Sequence, residues 1–305
     1  MKPILLSKKK LDELSSKLIQ DLSYFSGKKI VYLDYPVHNN IGDHLIYSGA
    51  MNALKANGNT IVGQFHADNY KRKEVNRLVK DHKAILVCHG GGNFGDIYSK
   101  HQDFRLQVLS DFPNQQLVIM PQSVFYQSKT LAASQLALFA NKFVTIHVRD
   151  NDSYELLKSH NVNVYKTPDC AHALVDDLYG NNNTPLLTSN DTKTLVFRRR
   201  DSESVKANGD GFDWDDIVSS TDRFAYKAFR KLSKSARLHS VSLNVFQPYS
   251  NRLIEKARDK FDRYDLVDTD RLHGFILAAL MGKKIIHKDN SYGKIHKYSD
   301  TWVEK

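Results

Sequence analysis

Residues 268–274, which read Asp-Thr-Asp-Arg-Leu-His-Gly, carry the clearest chemical signal in the sequence. They lie between a short apolar strand and an apolar helix predicted over residues 275–281, so Arg271 and His273 fall at the start of that helix. The free backbone N–H groups of a helix start attract a phosphate or a carboxylate, and the planar fork of arginine binds either group at two points. Histidine exchanges protons near neutral pH. This turn is therefore predicted to bind an anion and transfer a proton, with a structural role for both side chains as the alternative.

Two further cations are predicted to face the ligand. Arg149 ends an apolar strand over residues 143–148, and Lys294 lies in a polar loop after the last predicted strand, residues 284–287. Ligands of open parallel sheets bind at the carboxyl ends of the strands, so both side chains are expected to point toward a cleft. The alternatives are an exposed lysine, which is the usual fate of that residue, and an ion pair from Arg149 to Asp150, Asp152 or Glu155.

A run of three glycines follows the apolar strand predicted over residues 84–88. Glycine lets backbone amides approach a ligand closely, and we expect this turn to open a helix start that favours anions. The segment matches neither the Walker motif nor the dinucleotide fingerprint, and a turn needed only for packing is the alternative. The residues predicted to face a ligand are Gly91, Gly92, Asn93 and Asp96.

A shorter polar turn over residues 38–43 lies between a predicted strand and a predicted helix. Gly42 permits a tight turn, and Asp43 is predicted to cap the helix that follows. Capping and turn chemistry account for both residues. The functional alternative places Asn40 and Asp43 at the cleft, in contact with an acceptor.

Composition narrows the classes of protein that the sequence can encode. The chain of 305 residues is 41% hydrophobic and 26% charged, as globular proteins are. No apolar run approaches the roughly 20 residues that span a bilayer, and residues 1–10 lack the apolar stretch of a secretory signal. Cys88 and Cys170 lie in apolar contexts and are predicted to be buried free thiols. We therefore expect a cytoplasmic protein.

The formal net charge of +10 indicates an anionic partner, which could be nucleic acid, anionic lipid or a phosphorylated substrate. The basic residues are spread along the chain without a nucleic-acid recognition motif, so no nucleic-acid partner is expected. A weak peripheral contact with the anionic inner face of the membrane is kept as an expectation. The spacing of the 13 histidines and two cysteines predicts no metal site, and the sequence has no Gly-x-Ser-x-Gly nucleophile elbow.

The elements that must position these residues alternate between short apolar strands and helical patterns. This order predicts an α/β protein with mostly parallel sheets covered on both faces. Residues 181–194, rich in asparagine and threonine, are interpreted as an inter-domain linker. We predict two Rossmann-like domains, residues 1–180 and 181–305, facing each other across a central cleft. The predicted strands lie near residues 29–33, 84–88, 117–120, 143–148, 162–165, 194–197, 266–267 and 284–287. Pro121 is expected to end the third of these strands, and helices are predicted over residues 214–236 and 251–261.

Taken together and in order, the motifs resemble those of the polysaccharide pyruvyl transferase family. No single motif is specific to this family, but the order and spacing of the motifs over most of the chain are more specific to it. The matching segments are Asn40-Ile41-Gly42-Asp43, Gly90-Gly91-Gly92-Asn93-Phe94-Gly95-Asp96, Pro121-Gln122-Ser123, Val148-Arg149-Asp150 with Ser153, Thr167-Pro168-Asp169, Arg271-Leu272-His273-Gly274 and Tyr292-Gly293-Lys294.

The resemblance implies a GT-B-like fold with an active cleft between its domains, and neither a metal ion nor an organic cofactor. Phosphoenolpyruvate is the implied donor, and a sugar, free or linked to a lipid, is the implied acceptor. His273 would be the catalytic acid, and Asp43 or Asp96 would position or deprotonate an acceptor hydroxyl. The donor would be bound by Arg149, Arg271, the backbone at Leu272, and Lys294.

The implied reaction joins the pyruvyl group to two hydroxyls of one sugar as a cyclic ketal, during assembly of a bacterial exopolysaccharide, capsule or cell-wall polymer. The donor phosphate carries roughly −1.5 to −2 charge, which suits a site with several cations. Two alternatives stay open. One is a GT-B-type nucleotide-sugar glycosyltransferase, which would use the same helix start for a diphosphate, and the other is a basic nucleic-acid-binding protein.

Overall fold

The structure is a computed structural model and describes residues 2–180, 192–200, 211–235, 239–289 and 293–303. The chain forms two compact units, and each unit is drawn from separate stretches of the sequence. The large-sheet unit comprises Lys17–Val37 and Gly49–Cys170, and the small-sheet unit comprises Met1–Ser16, His38–Ser48 and Ala171–Lys305. Each unit has a sheet and a hydrophobic core of its own.

Seven strands paired in parallel form the large sheet: β1 (Lys29–Leu33), β2 (Thr60–Phe65), β3 (Ile85–Cys88), β4 (Gly91–Gly95), β5 (Leu117–Phe125), β6 (Val144–Val148) and β7 (Val164–Lys166). They lie in the order β2-β1-β3-β5-β6-β7, and β4 pairs with the second half of β5. Every residue of β3 and β6 is buried, because strands of a parallel sheet are covered on both faces.

Helices of the large-sheet unit are α3 (Arg72–His82), α4 (Ser99–Asp111), α5 (Lys129–Phe139) and α6 (Asn151–Ser159). Two earlier helices, α1 (Lys8–Asp21) and α2 (Ile41–Ala56), contribute residues to both units.

Three parallel strands form the small sheet in the order β10-β9-β8, with β8 at Thr194–Phe197, β9 at Leu266–Thr269 and β10 at Lys284–His287. An antiparallel bridge adds Ile4 to β10, since the N–H groups of Ile4 and Ile285 donate to each other's carbonyl at 2.7 and 2.8 Å. Helix α10 (Leu272–Leu280) is buried along its length except at His273. The other helices described in this unit are α7 (Val175–Leu178), α8 (Ser220–Ser233), α9 (His239–Asp262) and α11 (Lys294–Trp302).

The predicted α/β class, with a mostly parallel sheet flanked by helices, is confirmed. The domain boundary at residue 180 and the facing of two domains across a cleft stay predictions. Residues 38–48 pack with the small-sheet unit, although they lie within the first predicted domain. Most of the predicted linker, residues 181–194, lies outside the described residues.

The prediction that Pro121 ends a strand is wrong, because β5 continues to Phe125. Proline has no N–H to give to a sheet, so it is tolerated where the ladder is irregular. The pairing of β5 with β6 shifts between Ile119 and Gln122, which accommodates the missing donor.

Two helices differ from their predicted bounds. The helix predicted over residues 214–236 begins later, because Ser219 and Asp222 form a capping box that starts α8 after a short 3-10 turn. The helix predicted over residues 251–261 is longer, since α9 continues through Pro248.

Candidate functional site

The start of α10 is fixed by contacts with the small sheet. Arg271 has an extended backbone, and its N–H donates to Thr269 Oγ1 at 3.0 Å, which turns the chain from β9 into the helix. A Cβ at Gly274 would lie 2.5 Å from the Phe197 ring and 2.7 Å from Thr269 Oγ1. Glycine allows this close approach of α10 to β8.

The starts of α10 and α2 touch each other within the small-sheet unit. A Cβ added to Gly42, the second residue of α2, would lie 2.8 Å from Nδ1 and 2.9 Å from Cβ of His273. Gly42 therefore makes room for the imidazole, which is half-buried. Because each helix start is the positive end of a helix dipole, this place favours an anion beside a histidine.

Asn40 and Asp43 belong to the same start of α2. The Asn40 Oδ1 accepts the Gly42 N–H at 3.1 Å, and its Nδ2 donates to Asp43 Oδ2 at 3.0 Å. The prediction that Asp43 caps α2 is wrong, since Asn40 accepts the capping hydrogen bond and Asp43 lies in the first turn. We call Asn40, Gly42, Asp43 and His273 the helix-start cluster.

Arg271 precedes α10, and its guanidinium is held by a carboxylate. Its Nη2 donates to Asp213 Oδ2 at 2.7 Å, and its Nε donates to Asp213 Oδ1. Only 9% of Arg271 and 2% of Asp213 are exposed. The Arg271 guanidinium therefore fixes the start of α10 and also carries a positive charge. Asp213 could not be singled out from the sequence, where it is only a capping acid before Trp214.

Lys294 is the first residue of α11 and is half-buried. The preceding Gly293 has a left-handed backbone, with φ of 68°. The Asp289 carboxylate accepts two N–H groups of the first turn of α11, at 3.0 and 3.2 Å. A glycine and an acidic cap thus place Lys294 at a helix start. Tyr292, which belongs to the same motif, lies outside the described residues.

Arg149 brings three of the sequence motifs together in the large-sheet unit. Its guanidinium donates to Asp169 Oδ2 at 2.5 Å and to Ser123 Oγ at 3.0 Å, and only 2% of the residue is exposed. Gln122 O accepts the Arg149 N–H at 3.0 Å. The alternative of an ion pair is thus realised with Asp169, whereas Asp150 caps α6.

The glycine-rich segment is a strand, so the prediction of a turn that opens a helix is wrong. Gly91 and Gly92 lie in β4, and the next helix begins only at Ser99. Gly95 has φ of 123°, and a Cβ there would lie 1.7 Å from the Phe125 carbonyl oxygen. The absence of a side chain at Gly95 allows β4 to pair closely with β5.

Asn93 and Asp96 both have protein partners. The fully buried Arg105 donates to the Asn93 carbonyl at 3.2 Å and to its side-chain oxygen. Asp96 Oδ2 accepts the N–H groups of Gln127 and Ser128, each at 2.9 Å, after β5. These contacts support a structural role, and a ligand role for Gly91, Gly92, Asn93 and Asp96 stays a prediction.

An acid–histidine pair at the carboxyl end of β1 was missed from the sequence. Asp34 is buried with φ of 62°, and its two carboxylate oxygens lie 2.9 and 3.0 Å from His101 Nδ1. The strand order reverses between β1 and β3, and ligands of open α/β sheets bind at such a reversal. The available signal was an acid directly after the predicted strand over residues 29–33.

Cys88 and Cys170 are buried free thiols, as predicted. Burial raises the pKa of Cys88 to about 12, which keeps that thiol protonated. Among the described residues, no group of three or more histidine, cysteine or acidic side chains is placed to hold a metal ion. In the same part of the chain, no helix combines the length and the apolar character needed to cross a membrane.

The predicted site residues thus fall into two groups. The small-sheet unit holds Asn40, Asp43, Arg271, Leu272, His273 and Lys294. The large-sheet unit holds Gly91, Gly92, Asn93, Asp96 and Arg149.

The chain matches the model of one protein family and the sequences of known relatives. The family described as polysaccharide pyruvyl transferase matches residues 40–292. A Bacillus subtilis protein named "Putative pyruvyl transferase EpsO" is 33% identical over 288 residues, which cover 90% of this chain and 86% of that protein. "Pyruvyl transferase 1" of Schizosaccharomyces pombe is 30% identical over 291 residues, which cover 92% of this chain and 71% of that protein.

The fold is also found in a crystal structure. It is that of a functionally uncharacterised protein from Klebsiella pneumoniae, with a TM-score of 0.56, 22% identity, and coverage of 94% of this chain and 93% of that one. At this identity the likeness concerns the fold alone. The family match and the two relatives show that the chain belongs to the polysaccharide pyruvyl transferase family and is an enzyme of that class.

Proposed function

We propose that the protein transfers the pyruvyl group of phosphoenolpyruvate to two hydroxyls of a sugar and forms a cyclic ketal in a surface polysaccharide. The observation that carries this proposal is the contact between His273 and Gly42. That contact sets a proton-exchanging side chain at the positive ends of two helix dipoles. A donor with both a carboxylate and a phosphate requires an anion site of this kind beside an acid.

The donor is proposed to bind to cations and backbone N–H groups together. In the small-sheet unit, Arg271, the backbone at Leu272, and Lys294 lie at helix starts. Arg149 is the third proposed cation. Asp213 forms an ion pair with Arg271, and Asp169 forms one with Arg149. We infer that these two acids orient the guanidinium groups for binding of the donor.

The proposed chemistry begins when His273 donates a proton to the methylene carbon of the donor, so that C2 becomes oxocarbenium-like. One sugar hydroxyl attacks C2, and the bond from C2 to the phosphate oxygen breaks while the cations stabilise the leaving phosphate. A second hydroxyl of the same sugar attacks C2 and closes the ketal. One hydroxyl proton returns to His273 and the other leaves with the phosphate, so the step needs neither an oxidant nor a reductant.

Sugar hydroxyls are proposed to bind beside this acid. Asn40 and Asp43 share the helix-start cluster with His273, which supports their predicted contact with the acceptor. Asp34 and His101 offer a second hydroxyl-binding pair at the edge of the large sheet. The GT-B-like pairing of the two domains and a lipid-linked acceptor are parts of the proposal that rest on the resemblance. The proposed cytoplasmic setting rests on the composition and the two free thiols.

The test is to incubate the purified protein with phosphoenolpyruvate and a panel of galactose, glucose, mannose and N-acetylhexosamine acceptors. We expect inorganic phosphate to be released only when donor and acceptor are both present. The product should have the mass of the acceptor plus pyruvic acid less one water. Release of a nucleotide from a nucleotide sugar, with no phosphate from phosphoenolpyruvate, would instead establish a glycosyltransferase.

A further inference from the structure

The outer face of α8 carries two adjacent ridges of different chemistry. One is apolar: Phe224, Ala228 and Leu232 follow one another at intervals of four residues, and 75% of Phe224 and 39% of Leu232 are exposed. The other is basic and precedes the first by one residue in every turn. We call the six exposed residues of these two ridges the α8 face: Arg223, Phe224, Lys227, Ala228, Lys231 and Leu232.

The opposite side of α8 is packed on the rest of the small-sheet unit, so the α8 face is held outward. Phe229 lies 5.0 Å from Phe246 of α9, measured between ring centroids. Asp222 forms an ion pair with Lys256 of α9 and completes the capping box with Ser219. Both contacts fix the rotation of α8 about its own axis.

The charged side chains of the α8 face are all basic, and at the beginning of the face Arg223 forms an ion pair with Asp215 at 3.8 Å. Asp222 is the single acidic residue in the sequence of α8, and it is only 1% exposed, on the packed side. An exposed aromatic and aliphatic ridge beside a row of lysines is typical of helices that lie in the plane of a membrane interface. The net charge of +10 on the whole chain favours approach to an extended anionic surface.

We propose that the α8 face docks on the surface of an anionic lipid bilayer. The ridge of Phe224 enters the headgroup region, and the ridge of Lys227 and Lys231 lies against the lipid phosphates. This inference goes beyond the transfer reaction, because it requires neither the donor nor the acceptor. It would hold the enzyme at the surface where lipid-carried sugars are found.

The first test is sedimentation of the whole protein with vesicles of phosphatidylcholine, made with or without phosphatidylglycerol. We expect binding only to vesicles that contain phosphatidylglycerol, weakened by added salt. The double variant Lys227→Glu/Lys231→Glu should bind about ten-fold more weakly or worse. The matched control is Lys73→Glu/Lys80→Glu, which makes the same change of charge on exposed side chains of α3.

The control variant separates docking through α8 from attraction by overall charge. We expect it to bind within about two-fold of the unmodified protein, because α3 is not part of the α8 face and its lysines have no proposed contact with lipid phosphates. An equal loss in the two double variants would show attraction by net charge alone and overturn the proposal. Failure of the unmodified protein to sediment with anionic vesicles would overturn it as well.

A second test reports insertion of the apolar ridge. The two tryptophans of the chain, Trp214 and Trp302, are buried, so Phe224→Trp introduces a fluorophore whose emission reports its own surroundings. Its emission should shift to shorter wavelength with phosphatidylglycerol vesicles, and the absence of a shift would contradict insertion. Phosphate release with a water-soluble acceptor should be unchanged in the α8 variants. Loss of docking is thus distinguishable from failure of the proposed transfer.

Discussion

His273 and Gly42 depend on each other at the scale of single residues. The ring occupies space that a side chain at Gly42 would fill, and it stays partly accessible to solvent. An imidazole placed in this way can exchange a proton with a bound anion while the helix start behind it keeps its position. The glycine is therefore as much a part of the proposed chemistry as the histidine.

His273→Ala should reduce phosphate release from phosphoenolpyruvate by at least about 100-fold, because no other group then delivers the proton. The fold should be retained, since the residue is half-buried, and circular dichroism checks this. His296→Ala is the matched control, as His296 lies exposed on α11 in an ion pair with Asp300 at 3.3 Å. Activity like that of the control would remove His273 from the role of acid.

Arg271→Lys should raise the KM for phosphoenolpyruvate and lower the melting temperature together. Lysine keeps the charge but cannot reproduce the two-point contact with Asp213, and the loss of one charged hydrogen bond costs about 1.5–3 kcal/mol. Donor titrations and thermal unfolding measure the two effects separately. A lower melting temperature with unchanged donor affinity would show that Arg271 supports α10 without binding the donor.

His147 should make the folded state sensitive to mild acid. Burial lowers its pKa to about 3, so the folded protein keeps the ring neutral, with hydrogen bonds to Thr167 at 2.8 Å and Tyr24 at 3.2 Å. In the unfolded chain the ring takes up a proton below its ordinary pKa of 6.5. The stability that the neutral ring gives the folded protein at pH 7 is therefore lost as the pH falls from 6.5, the pKa of the unfolded chain, toward about 3, the pKa of the folded protein.

The loss from this one histidine amounts to about 1.4 kcal/mol per pH unit, or about 2 kcal/mol between pH 7 and pH 5. Urea unfolding of the protein and of His147→Gln at these two values gives the measurement. The variant should lose less stability on acidification than the unmodified protein. Equal losses in both proteins would mean that His147 is not kept neutral by burial.

At the scale of elements, α2 and α10 are fitted to each other where both begin. Gly42→Ala adds a methyl group 2.8 Å from the His273 ring, so the helices must separate or the ring must turn. We expect a fall in kcat together with a destabilisation of about 1–3 kcal/mol from overpacking. Steady-state kinetics and urea unfolding would check this, and unchanged kcat would argue that the fit of the two helix starts does not serve catalysis.

Elements with a strong local pattern could be predicted from the sequence, and those decided by pairing partners could not. The apolar runs of β3 and β6 identify buried parallel strands because both of their faces are covered. Nothing local in Gly91–Gly95 distinguishes a strand from a loop, since the pairing of this segment is supplied by β5, more than 25 residues later. The prediction at Pro121 was wrong for the same reason, because the irregular pairing that tolerates this proline depends on β6 as well as on β5.

The residues of the candidate site could also be predicted only where a local sequence pattern marks them. Helix starts are local, so the position of His273 at the beginning of α10 could be predicted from the sequence pattern. Lys294 was predicted to lie in a loop and instead begins α11. The partners of Arg271 and Arg149 could not, because Asp213 and Asp169 are distant in sequence and meet the arginines only after folding. Asp213 lies in none of the motifs, and the motif Thr167-Pro168-Asp169 does not indicate which cation its acid contacts.

The whole molecule distributes its motifs between two units. Those around Gly42 and His273 pack in the small-sheet unit, and those around Ser123, Arg149 and Asp169 pack in the large-sheet unit. Chain order does not follow this division, since residues 38–48 leave the large-sheet unit and the chain then returns to it. Each core is therefore assembled from stretches that are separate in sequence.

Leu6 and Leu5 offer a matched pair that tests the contribution of the first residues to the core of the small-sheet unit. Leu6 is 4% exposed within that core, whereas Leu5 is 59% exposed. Leu6→Ala should destabilise the protein by about 2–5 kcal/mol, and Leu5→Ala by no more than about 0.5 kcal/mol. Thermal unfolding would measure both, and similar effects of the two variants would contradict the placement of Leu6 in the core.

The bridge between Ile4 and Ile285 has a consequence for biosynthesis. A ribosome delivers residues in order, so Ile285, the β-partner of Ile4, emerges only after every residue of the large-sheet unit has been made. The large-sheet unit is complete once Cys170 has left the exit tunnel, while Leu6, Leu11 and Leu14 still lack the partners that they have in the finished core. During that interval these leucines form an apolar segment that chaperones would bind, and the small-sheet unit can close only after β10 has emerged.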